Sequence, residues 1–270
     1  MMEPDREQGG LAWQIGVWNR MSEVYQREID RRFESVVDAV IARAALAPGG
    51  QVLDLGTGTG AAALRAAGAV GTKGQVTGVD ISGAMLDLAR GRARSLGLRN
   101  LRLLEGAAES IPASNGEFDV VLACLSLMFV IDREAAAREI SRVLRPGGRL
   151  VAAVWAAPEE CDIVLFQQTA GRFACTPPVP GVGPGALADA GPMLRQFAQA
   201  GIQAHVESET LGFDFDDFRS AWDTLAGVTT AHLPSERQNQ AKAAVMAVMY
   251  PHGDGPRHFR NMTQFIVGRK

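Results

Sequence analysis

Cysteine is scarce in this chain, and the three present, Cys124, Cys161 and Cys175, have neither close pairing nor metal-ligand spacing. An odd, scattered set excludes a disulfide framework, and no metal site is expected. Apolar runs long enough to cross a bilayer are also missing. The first residues, Met-Met-Glu-Pro-Asp-Arg-Glu-Gln, are charged and lack the apolar centre of a secretion signal, so a soluble, cytoplasmic protein with no membrane span is expected. Charge of one sign is not in excess: 27 Lys and Arg stand against 30 Asp and Glu, a formal net charge of -3. That balance gives no global attraction to nucleic acid, which is not an expected partner. The densest basic group, Arg90, Arg92 and Arg94, reads as a solvated helix face. What is present is apolar: 47% of 270 residues are hydrophobic, enough to bury a substantial core.

The informative stretch is Val52-Leu53-Asp54-Leu55-Gly56-Thr57-Gly58-Thr59-Gly60. An apolar run that ends in an acidic residue and alternating glycines reads as a strand entering a nucleoside-binding turn, where glycine lets the main chain approach a ligand. Asp80 closes a second apolar run, where a carboxylate is placed to accept both hydroxyls of a ribose. An adenosine-containing cofactor follows. Gly56-x-Gly58-x-x-Ala61 also fits a nicotinamide dinucleotide fingerprint, but Asp54 would place a buried negative charge close to a pyrophosphate. A sulfonium cofactor without phosphate avoids that repulsion.

Apolar strand patterns at about 51–55, 75–80 and 101–105 alternate with helical patterns from Ala61 and from Gly83 to Leu96. Phe118 to Leu122 reads as a fourth strand, and Arg133 to Leu144 as a helix stopped at Arg145-Pro146-Gly147-Gly148, a turn feeding a fifth strand that ends at Trp155. Such alternation predicts a parallel sheet covered on both faces. With these ordered motifs the chain, over roughly residues 45 to 156, resembles the class I S-adenosylmethionine-dependent methyltransferases. The resemblance is to the branch that includes the ubiquinone and menaquinone biosynthesis C-methyltransferases and many small-molecule methyltransferases. It implies an α/β, Rossmann-like doubly wound sheet, mostly parallel, of seven strands with an antiparallel last strand, together with N-terminal helices and a helical lid. It further implies S-adenosyl-L-methionine as cofactor and S-adenosyl-L-homocysteine as product.

By the same resemblance Asp54 organises the methionyl end, Gly56, Thr57, Gly58 and Gly60 line it, Asp80 takes the ribose, and Ile81 and Met85 pack near adenine. The third motif departs from its usual Gly-Asp-Ala-Glu. It reads Gly106-Ala107-Ala108-Glu109, so the carboxylate that often holds the adenine amino group is missing, and main chain, water or Glu109 replaces it. Cys124 stands near the methyl position. The polar Asn and paired His that quinone-type relatives carry after the fourth strand are replaced by Leu122-Ala-Cys-Leu-Ser-Leu-Met-Phe129. The Asn/Asp-Pro-Pro-Tyr motif of nucleic-acid amino methylation is absent.

The flanks give the acceptor candidates. Three regions are read: an N-terminal helical cap (1–44), a cofactor-binding core (45–156), and a C-terminal part (157–270) that completes the sheet and carries a helical lid at about 216–250. In the cap, Trp18, Met21, Tyr25, Ile29 and Phe33 recur at helical spacing; the stripe packs on the sheet or, for Trp18 and Tyr25, lines the site. Phe129 and the lid residues Trp222, Met246 and Tyr250 are further apolar pocket candidates, and His232 and His252, flanking the lid helix, are candidate general bases. Thr176 to Gly185, rich in Pro and Gly, reads as a connector. The expected activity is methyl transfer to carbon or oxygen of a small, largely apolar molecule, quinol-like or a secondary metabolite. A cofactor-binding protein with a sensing or cyclising role, and a nicotinamide-dependent oxidoreductase, stay open as alternatives.

Overall fold

The structure of the protein, a computed structural model, describes residues 3–174 and 181–270. The chain opens with α1 (Glu3–Val24), a π-helical turn (Tyr25–Ile29), α2 (Asp30–Arg32) and α3 (Glu34–Ala44). Strand and helix then alternate through β1 (Gln51–Leu55), α4 (Ala61–Val70), β2 (Gln75–Asp80), α5 (Gly83–Ser95), β3 (Leu101–Glu105) and β4 (Phe118–Cys124). A 3-10 turn (Leu127–Phe129), α6 (Arg133–Val143) and β5 (Leu144–Trp155) follow. The last part comprises α7 (Asp162–Gly171), α8 (Gly191–Gln199), β6 (Gln203–Phe215), α9 (Phe218–Leu225), α10 (Gly227–Thr230), α11 (Ser235–Met249) and β7 (Arg257–Arg269). Cys175 and the Thr176–Pro180 half of the Pro/Gly-rich connector lie outside the described residues.

The strands form one seven-stranded sheet in the order β3-β2-β1-β4-β5-β7-β6. β1 to β5 run parallel to one another, and β7 runs antiparallel to both β5 and β6. Helices on both faces leave the central strands no solvent side, and so Val52, Leu53, Val121, Leu122 and Val151 are fully buried in near-continuous apolar runs. β6 is an edge strand and reads differently, with exposed and half-buried residues along nearly its whole length; Arg43 of α3 pairs with its Glu207 at 2.9 Å and Glu209 at 3.0 Å. The strand order reverses between β1 and β4, and the crevice beyond their carboxyl ends is where such sheets bind ligands.

One element departs from the sequence reading. The Arg145–Gly148 turn does not precede the fifth strand but interrupts it: Leu144 already pairs with Phe118, the register shifts, and pairing resumes at Val120 with Arg149. Gly147, at φ 77°, permits the bulge, and Arg145 returns to Asp119 at 2.6 Å. The strand thus starts before the turn residues, and they are expelled from the ladder as a bulge.

Candidate active site

The first wall of the site is the β1–α4 turn. Gly56, Gly58 and Gly60 have φ of 71°, 54° and 87°, a region that side chains with a Cβ avoid. Gly56 also has no room for one, since an added Cβ would sit 2.3 Å from Cβ of Ser126. The turn consumes its own donors. The Gly56 and Thr57 amides donate to the carbonyl of Val79 at 2.8 and 3.0 Å, the Gly60 amide to Thr57 at 2.8 Å, and the Gly58 amide to Oδ2 of Asp80 at 2.8 Å. A pyrophosphate-binding turn aims such amides at its ligand. Here they are spent internally, which fits a cofactor without phosphate.

Asp80 is held on both sides. Its Oδ1 accepts the Ser82 amide at 2.9 Å, and Ser82 caps α5 through the Met85 amide at 3.2 Å. The carboxylate lines the cavity with lone pairs left for a diol. Asp54 sits behind the turn, 1% exposed, and does not line the cavity. Its Oδ2 accepts the Thr57 hydroxyl at 2.7 Å, and its Oδ1 is buried without a hydrogen-bond partner among the described residues. Burial pushes its carboxyl up to about 6, against the opposing bonds from Thr57 and the Ala63 main chain. Burial likewise raises Asp80, opposed by the Ser82, Gly58 and Ile81 main chain. With Asp80 facing the cavity and Asp54 behind the turn, the residues present fit a cofactor that carries a diol and no phosphate.

The second wall comes from the N-terminal segment. Trp18, Tyr25, Ile29 and Phe33 face the cavity, whereas Met21 of the same stripe is core. A π-turn spans Tyr25–Ile29; such turns widen a helix and recur at functional sites. Burial, and then Asp30, Cys124 and Asp80, hold the Tyr25 hydroxyl well above its ordinary pKa, so it stays a neutral donor. Two latches fasten this wall. Ser82 Oγ donates to Oδ1 of Asn19 at 2.7 Å, and Oδ2 of Asp30 accepts from Thr59 Oγ1 at 2.6 Å and from Arg92 at 2.5 Å. Arg92 also donates to the Thr59 carbonyl at 2.9 Å. The solvated basic face expected for α5 is therefore corrected at Arg92, whose side chain is only 28% exposed and crosses to the cap.

The third wall is the segment after β4. Leu125, buried and at φ 55°, adopts a left-handed conformation at a cost of roughly 1–2 kcal/mol. The turn brings Ser126 Oγ to the Leu55 carbonyl at 2.7 Å, closing the segment onto the glycine turn. Phe129 then meets Trp18 edge to face at 4.9 Å. The cavity holds about 1180 Å³ free of protein atoms, part of it open to solvent. Beyond the Trp18–Phe129 pair lies an outer chamber lined by Trp13, Val164, Pro184, Thr229 and His232.

The structure gathers most of the predicted cofactor residues. Gly56, Gly58, Asp80, Ile81, Met85, Gly106, Ala108, Glu109 and Cys124 line the cavity. Thr57, Gly60 and Ala107 do not: Thr57 turns under to Asp54, Gly60 begins α4, and Ala107 bridges to Ser110. Glu109 has a second task, accepting the Ile131 and Asp132 amides at 3.1 and 3.2 Å and so fixing the third wall. Burial raises the Cys124 thiol far above its usual range, leaving it neutral and unreactive.

The acceptor candidates from the lid need correction. Trp222 packs between Phe166 and Phe218, Tyr250 is buried against Phe218, and Met246 is 38% exposed; none lines either chamber. α11 packs on α7, so the lid reaches the cavity only through Leu225, Val228 and the chain leading to His232. His252 lies in an exposed turn away from both chambers, which removes it as a base. His232 is exposed at the outer chamber, edge on to Trp13 at 6.2 Å. Sequence reasoning did not single out Asn19, Asp30, Ser82, Leu125, Gln14 or Gln167. Of these, only Ser82, directly after Asp80 and Ile81 and ahead of a helical run, carried a local signal as a helix cap.

Fold and site together define a Rossmann-like, S-adenosylmethionine-type cofactor site. Residues 52–148 match the family described as methyltransferase domain. The chain is 30% identical over 197 residues to the ubiquinone/menaquinone biosynthesis C-methyltransferase of Shewanella frigidimarina, covering 70% of this chain and 75% of that one. To the enzyme of the same name from Shewanella woodyi it is 33% identical over 165 residues, and the match spans 63% of that enzyme's length. The YcgJ protein of Bacillus subtilis has the same fold, with a TM-score of 0.65 at 22% identity over 87% of this chain and 98% of that one. The chain belongs to the class I S-adenosylmethionine-dependent methyltransferases, in the branch of the ubiquinone/menaquinone biosynthesis C-methyltransferases. No helix among the described residues is long and apolar enough to cross a membrane.

Proposed function

We propose that this protein transfers a methyl group from S-adenosylmethionine to carbon or oxygen of a small, largely apolar acceptor. The observation that carries the reading is that one cavity is walled by Gly56, Gly58 and Asp80 on one side and by Trp18, Tyr25 and Phe129 on the other. A cofactor site and an apolar acceptor site are thereby continuous. When bound, the sulfonium supplies an already electrophilic methyl group, so the protein's own part is alignment and exclusion of water. Asp80 holds the ribose diol, Ile81 and Met85 flank the adenine, and Asp54 acts from behind the turn on the methionyl end. Tyr25 donates a hydrogen bond to the acceptor, while Trp18, Phe129 and Leu125 keep water out.

No Lys, Arg or His lines the inner cavity among the described residues. The acceptor therefore supplies a nucleophile that loses its proton easily, such as a phenol or an activated carbon, and His232 at the outer chamber is the basic group on its exit path. The test is transfer of label from methyl-labelled S-adenosylmethionine in a cell extract, separated into organic-soluble, water-soluble, protein and nucleic-acid fractions. Label in the organic fraction, lost with Asp80→Ala, is the expected result. Label in macromolecules, or retained in the variant, overturns the acceptor class or the role of Asp80.

A further inference from the structure

Two amide side chains stand where the inner cavity opens into the outer chamber, and they are differently placed for binding. Gln14, Trp18, Phe129, Gln167, Pro184 and Val228 line both spaces, so among the described residues the passage is apolar apart from the two glutamines. Gln167 is buried and committed: its Nε2 donates to the Leu225 carbonyl at 2.7 Å, and its Oε1 accepts the Thr229 hydroxyl. Gln14 lies one turn before Trp18 on α1 and is 5% exposed. Its amide makes no hydrogen bond among the described residues, yet neither amide atom is sealed off as Oδ1 of Asp54 is. Burying an amide without a partner works against folding, and a position facing a cavity recovers the bond from what enters. Gly56, Gly58, Asp80 and Met85 line the inner cavity alone, so a group at the passage stands on the acceptor's side.

We propose that Gln14 donates a hydrogen bond from Nε2 to an oxygen of the acceptor other than the methylated atom. That oxygen is a carbonyl or hydroxyl carried where the molecule crosses from the inner cavity to the outer chamber. The proposal rests on the methyltransferase reading and deepens it: the acceptor spans both chambers, and Gln14 determines which apolar molecules are accepted. In an otherwise apolar passage, a molecule lacking the oxygen leaves the amide unpaired. A site built to pair a polar group rejects the analogue without it far more strongly than apolar packing rejects an extra methylene. Gln14 acts on binding, away from the reacting atoms, so its loss raises the amount of acceptor needed more than it slows the saturated enzyme.

The test titrates the organic-soluble fraction of a cell extract against the protein and methyl-labelled S-adenosylmethionine, giving a half-saturating amount of acceptor and a saturating rate. Gln14→Met keeps the length and helix preference of the side chain and removes the amide. It is expected to raise the half-saturating amount about tenfold, the size of one hydrogen bond, and to lower the saturating rate less than about threefold. S-adenosylhomocysteine affinity should stay within about twofold, and the urea midpoint should not fall, because an unpaired amide has been removed. Gln14→Glu, which keeps the shape but replaces the donor with a carboxylate oxygen, is expected to show at least the same rise. Independently of any variant, mass spectrometry of the labelled product made by the unaltered protein should show an oxygen beyond the methylated atom. An unchanged half-saturating amount, a loss confined to the saturating rate, a lowered urea midpoint, or a product without that oxygen overturns the role of Gln14. Absence of organic-soluble label with the unaltered protein overturns instead the methyl-transfer reading beneath it.

Discussion

Asp54→Asn is expected to make the ligand-free protein more stable above pH 6 relative to the unaltered chain than below pH 4, while weakening its hold on the cofactor. Asp54 is 1% exposed, lacks a partner on Oδ1, and has its carboxyl pushed up from 3.8 to about 6 by burial. A carboxyl that holds its proton more tightly folded than unfolded binds more protons in the native state between those two values. Stability contributed by that proton is present at low pH and falls as pH rises from about 4 to above 6. A gap of about two pH units corresponds to about 3 kcal/mol lost across the window.

An amide in place of the carboxyl carries no charge at either pH, so the loss disappears. It also leaves an amide donor without a partner, at a cost of about 1–3 kcal/mol that does not depend on pH. The difference between variant and unaltered protein at pH 7.5, minus the same difference at pH 4, cancels that fixed cost and should come to about 2–3 kcal/mol. Asp80 and Asp30 are raised in the same direction, but they titrate in both proteins and drop out to first order. Urea unfolding monitored by tryptophan fluorescence at several pH values measures it. Parallel stability curves for the two proteins across pH 4 to 7.5 would refute the reasoning.

Two further substitutions test the walls. Gly56→Ala forces a Cβ to 2.3 Å from that of Ser126 at a φ of 71°, and should cost more than about 2 kcal/mol with loss of S-adenosylhomocysteine binding; Ser126→Gly in the same chain should return part of it, and no rescue would mean the turn's conformation alone is at fault. Asp30→Asn leaves Arg92, 28% exposed, without its carboxylate, and should cost about 2 kcal/mol and speed cofactor dissociation; additivity with Arg92→Met in a double-mutant cycle would show that the latch carries no coupling.

How far the site could be read from the chain follows from how each wall is built. The cofactor wall is local. Asp54 to Gly60 and Asp80 to Met85 are short stretches whose main-chain demands leave a mark in residue type, and nine of the thirteen cofactor candidates do line the cavity. The other four, Asp54, Thr57, Gly60 and Ala107, do not, because a motif records what the turn needs as well as what the ligand touches. The wall proposed for the acceptor is assembled from Leu11 to Phe33, Leu125 to Ile131, Ile163 to Gln167, Pro184 and Val228. Apolar side chains on these segments look the same whether they face a cavity or a core. Trp222 and Tyr250 were misplaced for that reason, since α9 and α11 bury them against Phe166 and Phe218. Arg92 was misread for the complementary reason: its partner Asp30 lies 62 positions away and no local pattern announces it.

The negative charge around the glycine turn is held against the cost of burying it. Asp54, Asp80 and Asp30 are all raised by burial, which means that folding works against their ionisation and that the ligand-free site holds negative charge at a loss. Such a loss is tolerated in an active site when a bound cation reverses it. Asp54→Asn should therefore flatten the pH dependence of S-adenosylmethionine binding across about pH 4 to 7.5, read by calorimetric titration at several pH values; an unchanged profile would show that the Asp54 charge does not act on the cofactor.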